Sequence, residues 1–300
     1  MIDSRTAGHP RREAVERTMT LFFFLCGMAA IVFVLGISLY LIVSGLPAVR
    51  EIGLWKFLTG AVWSPKQEQF GVLPFLLTSV AGTAGAVLIG VPVGLLAALF
   101  LAKAAPPCLA TVIRTAVELL AGIPSIVYGL VGMIVLVPAI QRMFGLASGA
   151  SLLAAIVVLS VMILPSVISV AETALAAVPR EYEEASLALG ATWMETVFHV
   201  TFPAARSGIA ASAVLGAGRA IGEAMAVIMV SGNVPNLPGS LFQPVRFLTT
   251  AIASEMSYAA AGILHRMALY SIGLVLFLFV MCINVLLHIF IKKEGKHGRR

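Results

Sequence analysis

The chain has 300 residues; 60% are hydrophobic and 11% charged, with a mean hydropathy of +1.01 and a formal net charge of +6. This composition excludes an ordinary soluble domain and fits a polytopic helical membrane protein, in which sparse charges cluster between apolar runs. The basic residues sit at the chain ends and in short loops, where they set membrane orientation, so the positive charge gives no argument for nucleic acid as a partner.

Residues 1–18 form a polar tail with Arg5, Arg11, Arg12 and Arg17. The apolar run at 19–45 is longer than the ~7–15 residues of a signal-peptide core and ends at no small-x-small cleavage pattern, so it is read as an uncleaved first membrane helix. Residues 46–71 place Trp55, Phe57 and Trp63 beside Arg50, Lys56 and Lys66, an interfacial composition. The second span, about 72–100, holds Pro92 and the pair Gly90-x-x-x-Gly94, which would let another helix approach closely. A loop with Lys103, Pro106, Pro107 and Arg114 leads to a third span at about 116–140. There Gly122-Ile123-Pro124-Ser125 predicts a kink, and Glu118, one turn after Arg114, predicts a local ion pair. The fourth span, 151–171, contains Pro165; the fifth covers 207–231 and the sixth 267–291, before a basic tail at 292–300. Cys26, Cys108 and Cys282 lie far apart without a C-x-x-C pair and are read as apolar packing residues.

Six spans put both termini on one side. Lys and Arg of the termini, the 102–115 loop and the 173–206 segment outnumber those of the opposite loops by about two to one, which places termini and segment in the cytoplasm.

The 173–206 segment is the longest well-patterned polar stretch. Pro179 suits a first helical turn, Glu181, Glu183 and Glu184 suit a positive helix start, and Gly190 offers a left-handed stop after Leu189. Thr192 with Glu195 is a capping-box pattern for a second helix, which must stop or kink near Pro203. Two short helices around a glycine corner suit either docking or plain connection.

Arg219 and Glu223 lie inside the fifth span, and their i,i+4 spacing would put both on one helix face. Arg219 is about 18 Å along that helix, near the midplane of a ~30 Å layer. A charge there costs at least ~2.5–3.5 kcal/mol, so it should face a bundle interior or a water-filled path. An anion path and a buried ion pair that fixes packing are both open. Enzyme motifs are absent: there is no G-x-x-x-x-G-K-[ST], H-E-x-x-H or G-x-S-x-G, and the five histidines show no metal-ligand spacing. Neither catalysis nor a cofactor or metal is expected of this chain.

Glu184-Ala185-Ser186, three residues, Gly190, nine residues, then Val200-Thr201-Phe202-Pro203 resembles the EAA loop of bacterial ABC-importer permeases, E-A-A, three residues, G, nine residues, I-x-L-P. The stretches Glu118–Gly129 and Gly218–Val227, with Ser231-Gly232-Asn233 and the Phe70–Phe75 entry, are similar to phosphate-importer permeases, and more to the PstC-type subunit than to the PstA type. Ala224 departs from the Thr of many members. The resemblance covers most of 55–290. It implies an all-α integral membrane protein with six transmembrane helices, the type I ABC importer permease fold, a core at 72–291 and an EAA coupling loop at 179–203. It implies ATPase coupling through Glu184, Ala185, Ser186, Gly190 and Pro203, and a substrate path at Arg219 and Glu223. Its expected partners are a PstA-like permease in a heterodimer, two PstB-like ATPase subunits and an extracytoplasmic phosphate-binding protein, with phosphate as cargo, alternating access as mechanism and the bacterial plasma (inner) membrane as location. The alternatives are an ABC permease for another oxyanion such as molybdate or sulfate, or a secondary transporter or channel working without ATP.

Overall fold

The structure is a computed structural model that describes residues 10–260 and 262–297. The expectations placed on Arg5, Arg299 and Arg300 lie outside the described residues.

The apolar runs become helices because lipid leaves the backbone no other partner than itself. Helix α1, Pro10–Ile52, is continuous for 43 residues, so the expected tail from residue 10 onward belongs to the first helix. After the short α2, Leu54–Thr59, a two-stranded hairpin pairs β1, Trp63–Ser64, antiparallel to β2, Gln69–Phe70, with Trp63 opposite Phe70. Helix α3, Leu73–Leu99, runs into a π-helical turn at Phe100–Ala104. Next come α4, Pro107–Gly122, α5, Ser125–Val131, a second π-helical turn and α6, Val137–Phe144. Helix α7, Leu152–Ala176, leads into the polar segment with α8, Arg180–Ala188, α9, Trp193–Thr196, and α10, Phe202–Ala204. Helix α11, Arg206–Gly222, α12, Met225–Val230, α13, Leu248–Glu255, and α14, Leu264–His297, complete the chain.

Five described helices are long and apolar enough to cross a membrane, over 15–52, 73–104, 125–144, 152–176 and 264–285. The sixth crossing, expected at 207–231, is made in two pieces, α11 and α12. Their 17 and 6 residues rise about 25 Å and about 9 Å, together enough for the ~30 Å hydrocarbon layer. The third crossing is interrupted as well. Ile123 and Pro124 are extended, with ψ of 127° and 138°; Ile123 is pushed out of the helical region because it precedes a proline. The expected kink is therefore a full break, and the crossing runs over 125–144 instead of 116–140.

Helix α7 is the centre of the bundle. Ile156, Leu159, Met162, Ile163 and Val167 pack against Ala86 of α3 and Ala220 of α11. A Cβ at Gly90 would lie 2.7 Å from Ile163 and 2.9 Å from the Ser160 carbonyl, so only glycine permits this approach of α3 to α7, as the Gly90–Gly94 spacing suggested. The first amides of α7 find partners outside the helix: Ser151, Leu152 and Leu153 N–H donate to the carbonyls of Val230, Gln243 and Leu241.

A second cluster joins the end of α1, α2, the hairpin, the start of α3, α13 and the start of α14 through Ala48, Phe57, Trp63, Phe75, Leu248 and Leu269. Inside it Glu255, 3% exposed, accepts from Trp63 Nε1 at 3.0 Å and pairs with Arg246 and, at 2.7 Å, with His265 Nε2. Two local expectations change. Arg114 Nε bonds Glu172 Oε1 of α7 at 2.6 Å, a tertiary tie where a pair with Glu118 was expected. The three cysteines are exposed on this chain and are not packed in its core.

Candidate functional site

The polar segment is held by interactions that its sequence encodes locally. Pro179 precedes α8 as its N-cap, and Glu181 and Glu183 occupy the first turn. The helix ends where expected. Gly190 has φ of 90°, its N–H donates to the Leu187 carbonyl, and Ala191 N–H donates to that of Ser186, the 6→1 and 5→2 pair of a Schellman stop. Thr192 and Glu195 then form the capping box: Glu195 N–H donates to Thr192 Oγ1 at 3.3 Å, and Thr192 N–H to Glu195 Oε2 at 2.8 Å. The Thr192 N–H, first, and the Thr192 hydroxyl, which donates to Glu195 Oε2 at 2.8 Å, hold the Glu195 carboxyl below the usual carboxylate range. The helix ends near Pro203 as expected: α10 closes at Ala204 and the chain turns at Ala205 before α11. The backbone widens into a π-helical turn at Val197–Thr201 just before Pro203, one of the ways a helix absorbs a proline ring.

One side of α8 faces the bundle. Ser186 Oγ lies 2.9 Å from Thr196 Oγ1, which ties α8 to α9. Glu183 Oε1 accepts from Thr201 Oγ1 at 3.0 Å and from Lys103 Nζ at 2.5 Å, which ties α8 to the end of α3. Glu184, Ala185 and Gly190 lie on the exposed side. Beside them Tyr182, Leu187, Trp193, Met194 and Phe198 are also exposed, and Leu189 is 90% exposed. A cluster of exposed apolar side chains on a polar helix is suited to contact with another protein. Sequence reasoning named neither Lys103 nor Glu183 as functional; the available signal was a lone lysine at the end of an apolar run. Tyr182, Leu189 and Trp193 were signalled by being apolar within an otherwise polar helix.

The second candidate site lies between the two interrupted crossings. Arg219 belongs to the last turn of α11. Its Nη1 donates to Ser166 Oγ of α7 at 3.1 Å. Glu223 does not share its helix face, because α11 ends at Gly222 and Glu223 is extended, with ψ of 129°. The Glu223 carboxylate instead caps α12, accepting from Ala226 N–H at 3.1 Å, and its carbonyl accepts from Thr249 Oγ1 at 2.8 Å. Helix α12 packs against α5 with backbone almost touching backbone: a Cβ at Gly129 would sit 2.8 Å from Ala226 Cα. On α5, the Tyr128 hydroxyl donates to the Leu120 carbonyl at 2.7 Å and so bridges the break between α4 and α5.

Arg219 opens onto a cavity of about 650 Å³ that Ser166, Leu215, Gly218 and Asn284 also line. No atom of another element lies within 4 Å of where a Cβ would stand at Gly218 or Gly222, so no neighbouring element crowds α11 at these positions. Asn284 of α14 did not figure in the sequence reasoning; its signal was a carboxamide within an apolar span. No group of three or more potential metal ligands occurs among the described residues.

Residues 90–295 match the family described as "Binding-protein-dependent transport system inner membrane component". The chain is 41% identical over 269 residues to a probable ABC transporter permease protein, YqgH, of Bacillus subtilis, covering 87% of each chain. It is 36% identical over 288 residues to the phosphate transport system permease protein PstC of Haemophilus influenzae, covering 88% of this chain and 90% of the relative. Among solved structures, an inward-facing conformation of the MetNI methionine ABC transporter superposes with a TM-score of 0.56 at 21% identity, over 80% of this chain and 97% of the other, a likeness of fold.

Proposed function

The chain belongs to the binding-protein-dependent transport system inner membrane component family and has the type I ABC importer permease fold; on that premise we propose that it is the PstC-type permease subunit of an ATP-driven phosphate importer. It forms half of the translocation path beside a PstA-like subunit, and the two sit on a pair of PstB-like ATPase subunits. An extracytoplasmic phosphate-binding protein delivers the cargo. The chain itself is a non-catalytic subunit of the plasma (inner) membrane, and the distribution of basic residues supports cytoplasmic termini with α8 on the same side.

The mechanism follows from the two sites. The exposed side of α8, with Glu184, Ala185, Leu187 and Leu189, docks on the ATPase, and Gly190 sets the corner beyond it. Movement of the ATPases on binding and hydrolysing ATP displaces α8. Ser186 passes the displacement to the stretch that ends at Pro203, and Glu183 passes it to α3 through Lys103. The spans then alternate between outward-open and inward-open arrangements. Arg219 attracts the anion in a cavity whose other lining groups are neutral, and Glu223 keeps the nearby break in shape by capping α12.

The observation that carries this reading is the Arg219 guanidinium at the end of α11, bonded to a neutral hydroxyl and facing a cavity, because a charge so placed within an apolar bundle needs water or an anion to offset its desolvation. The test is reconstitution of the complete importer in vesicles with ATP inside and binding protein outside. Phosphate uptake that requires ATP, and that Arg219→Ala removes while the ATPase still co-purifies, supports it. Uptake of sulfate or molybdate in place of phosphate reassigns the cargo. Uptake without an ATPase overturns the importer reading, and loss of assembly in Arg219→Ala gives that residue a packing role.

A further inference from the structure

The cavity at Arg219 extends along α11 from Arg219 back to Ala211, about 12 Å of helix. It therefore runs from mid-membrane toward the start of α11, the end that follows α8 and α10 in the chain. Its charged group is at one end. Along its walls are two neutral polar side chains, Ser166 of α7 and Asn284 of α14, among residues that are otherwise apolar or glycine. Ser166 already accepts a hydrogen bond from Arg219. Asn284 is exposed on this chain and stands 20 residues, about 30 Å, along α14 from Leu264, which places it toward the α8 end of the cavity.

A carboxamide at that position on a lipid-facing surface would cost free energy without return, since polar side chains within spans face a bundle interior or water. On the wall of an anion path it has a use. A path must hold its ion strongly enough to admit it and weakly enough to let it go. Arg219 alone gives one deep well, because a guanidinium and a tetrahedral oxyanion form charge-assisted, often bidentate hydrogen bonds. A neutral amide offers two N–H donors and one C=O acceptor, and a hydroxyl offers one donor and two acceptor sites. Such groups can bind a partly protonated oxyanion, accepting from its O–H while donating to its other oxygens, without competing in charge with Arg219.

We propose that Asn284, with Ser166, is a cargo-handling residue of the same path: a neutral hydrogen-bonding step that takes the oxyanion from Arg219 on its way toward the α8 face. The inference rests on the reading of Arg219 as part of an anion path. Ser166 holds the guanidinium in place and releases it as the anion arrives. Asn284 supplies the next donors, so that departure from Arg219 does not leave the anion facing hydrocarbon.

The test uses the complete importer in vesicles, with phosphate uptake, ATP hydrolysis stimulated by the binding protein, and subunit co-purification measured together. Asn284→Leu removes the polar group, Asn284→Asp replaces it by a near-isosteric anion, and Asn284→Gln keeps the carboxamide. The expected result is a roughly tenfold or greater fall in maximal uptake for Asn284→Leu and Asn284→Asp, about 1.4 kcal/mol or more in barrier height. Assembly and stimulated ATP hydrolysis stay intact, so that phosphate moved per ATP falls, and Asn284→Gln recovers most of the uptake. Wild-type uptake in Asn284→Leu overturns the proposal. Loss of co-purification in both Asn284→Leu and Asn284→Asp assigns the residue to packing and also overturns it. An Arg219→Ala arm separates the two readings. If Arg219→Ala transports normally, the anion path itself is wrong; if it is inactive while Asn284→Leu is normal, only the role of Asn284 fails.

Discussion

Lys103 Nζ lies 2.5 Å from Glu183 Oε1, so the polar helix α8 is fastened by its inner side to the end of α3, 80 residues earlier in the chain. The side chains are 12% and 23% exposed, between the exposed pairs worth ~0–1 kcal/mol and the buried ones whose rupture costs ~3–5 kcal/mol. Lys103→Met is expected to leave the importer assembled and to lower phosphate uptake roughly tenfold, a loss of ~1.4 kcal/mol of coupling. The charge swap Lys103→Glu with Glu183→Lys should recover part of it. Wild-type uptake by the single variant would remove this tie from the transmission route.

Gly190 has φ of 90°, and nothing stands within 4 Å of where its Cβ would be. Substitution there meets backbone strain alone, ~1–2 kcal/mol for an ordinary residue in the left-handed region and less for Asn. Gly190→Val should insert normally and lose uptake through weaker docking of the ATPase, with Gly190→Asn close to wild type. Equal uptake in both variants would show that the corner does not need this conformation.

Because Glu223 caps α12 and makes no pair with Arg219, its oxygen matters more than its charge. Glu223→Gln keeps an acceptor for Ala226 N–H and is expected to retain most uptake. Glu223→Ala loses the cap, a change usually worth ~0.5–2 kcal/mol, and should lower uptake severalfold. If Gln is as damaging as Ala, the negative charge itself is required and the cap is not the main role.

Glu255 joins three elements through Trp63, Arg246 and His265. Glu255→Ala takes the carboxylate from the partly buried Arg246, which keeps its bonds to the Asn233 carbonyl, and is expected to cost up to ~3–5 kcal/mol, visible as a lower unfolding temperature in detergent. Trp63→Phe loses one hydrogen bond and should cost ~1–3 kcal/mol. A double variant that costs less than the sum would show that the two act as one unit; strict additivity would show that they do not.

The capping box gives a pH dependence of known sign. The Thr192 backbone N–H, first, and the Thr192 hydroxyl hold Glu195 below its usual pKa. A depressed carboxylate contributes stability that is fully present above its unfolded pKa, about 4.3, and is lost as pH falls through the folded value. Amide protection of residues 192–198 should be level at neutral pH and fall below about pH 4, after correction for intrinsic exchange rates. In Glu195→Ala that fall should be absent.

Helix α8 and its corner were legible in the sequence because their determinants act over a few residues: Pro179 before the helix, Gly190 after it, Thr192 with Glu195. The crossings were legible through apolar length, and Pro124 announced the first break. The second break was not legible. No proline marks residues 222–224, and an i,i+4 pair looks the same in sequence whether or not the helix continues between its members. The ties of Lys103 to Glu183, of Arg114 to Glu172 and of Trp63 to Glu255 were also hidden. They join residues 80, 58 and 192 positions apart, and only the packing of α3, α7 and the hairpin brings them together. Arg114 illustrates the competition: a neighbour one turn away was available, and a carboxylate on a facing helix took it.

Gly129 and Ala226 have a mechanical consequence. The atoms that a Cβ at 129 would strike are the Cα and carbonyl oxygen of Ala226, main chain on main chain, with no compliant side chain between them. Helices α5 and α12 therefore have no room to approach further and are expected to move together as a lever. Any rearrangement near Arg219 is expected to pivot where each crossing is interrupted, at Ile123–Pro124 and at Glu223–Ala224, because the helical hydrogen-bond ladder is already broken there. Bulk introduced at either contact position would jam the lever, while small residues near the pivots would leave its travel unchanged.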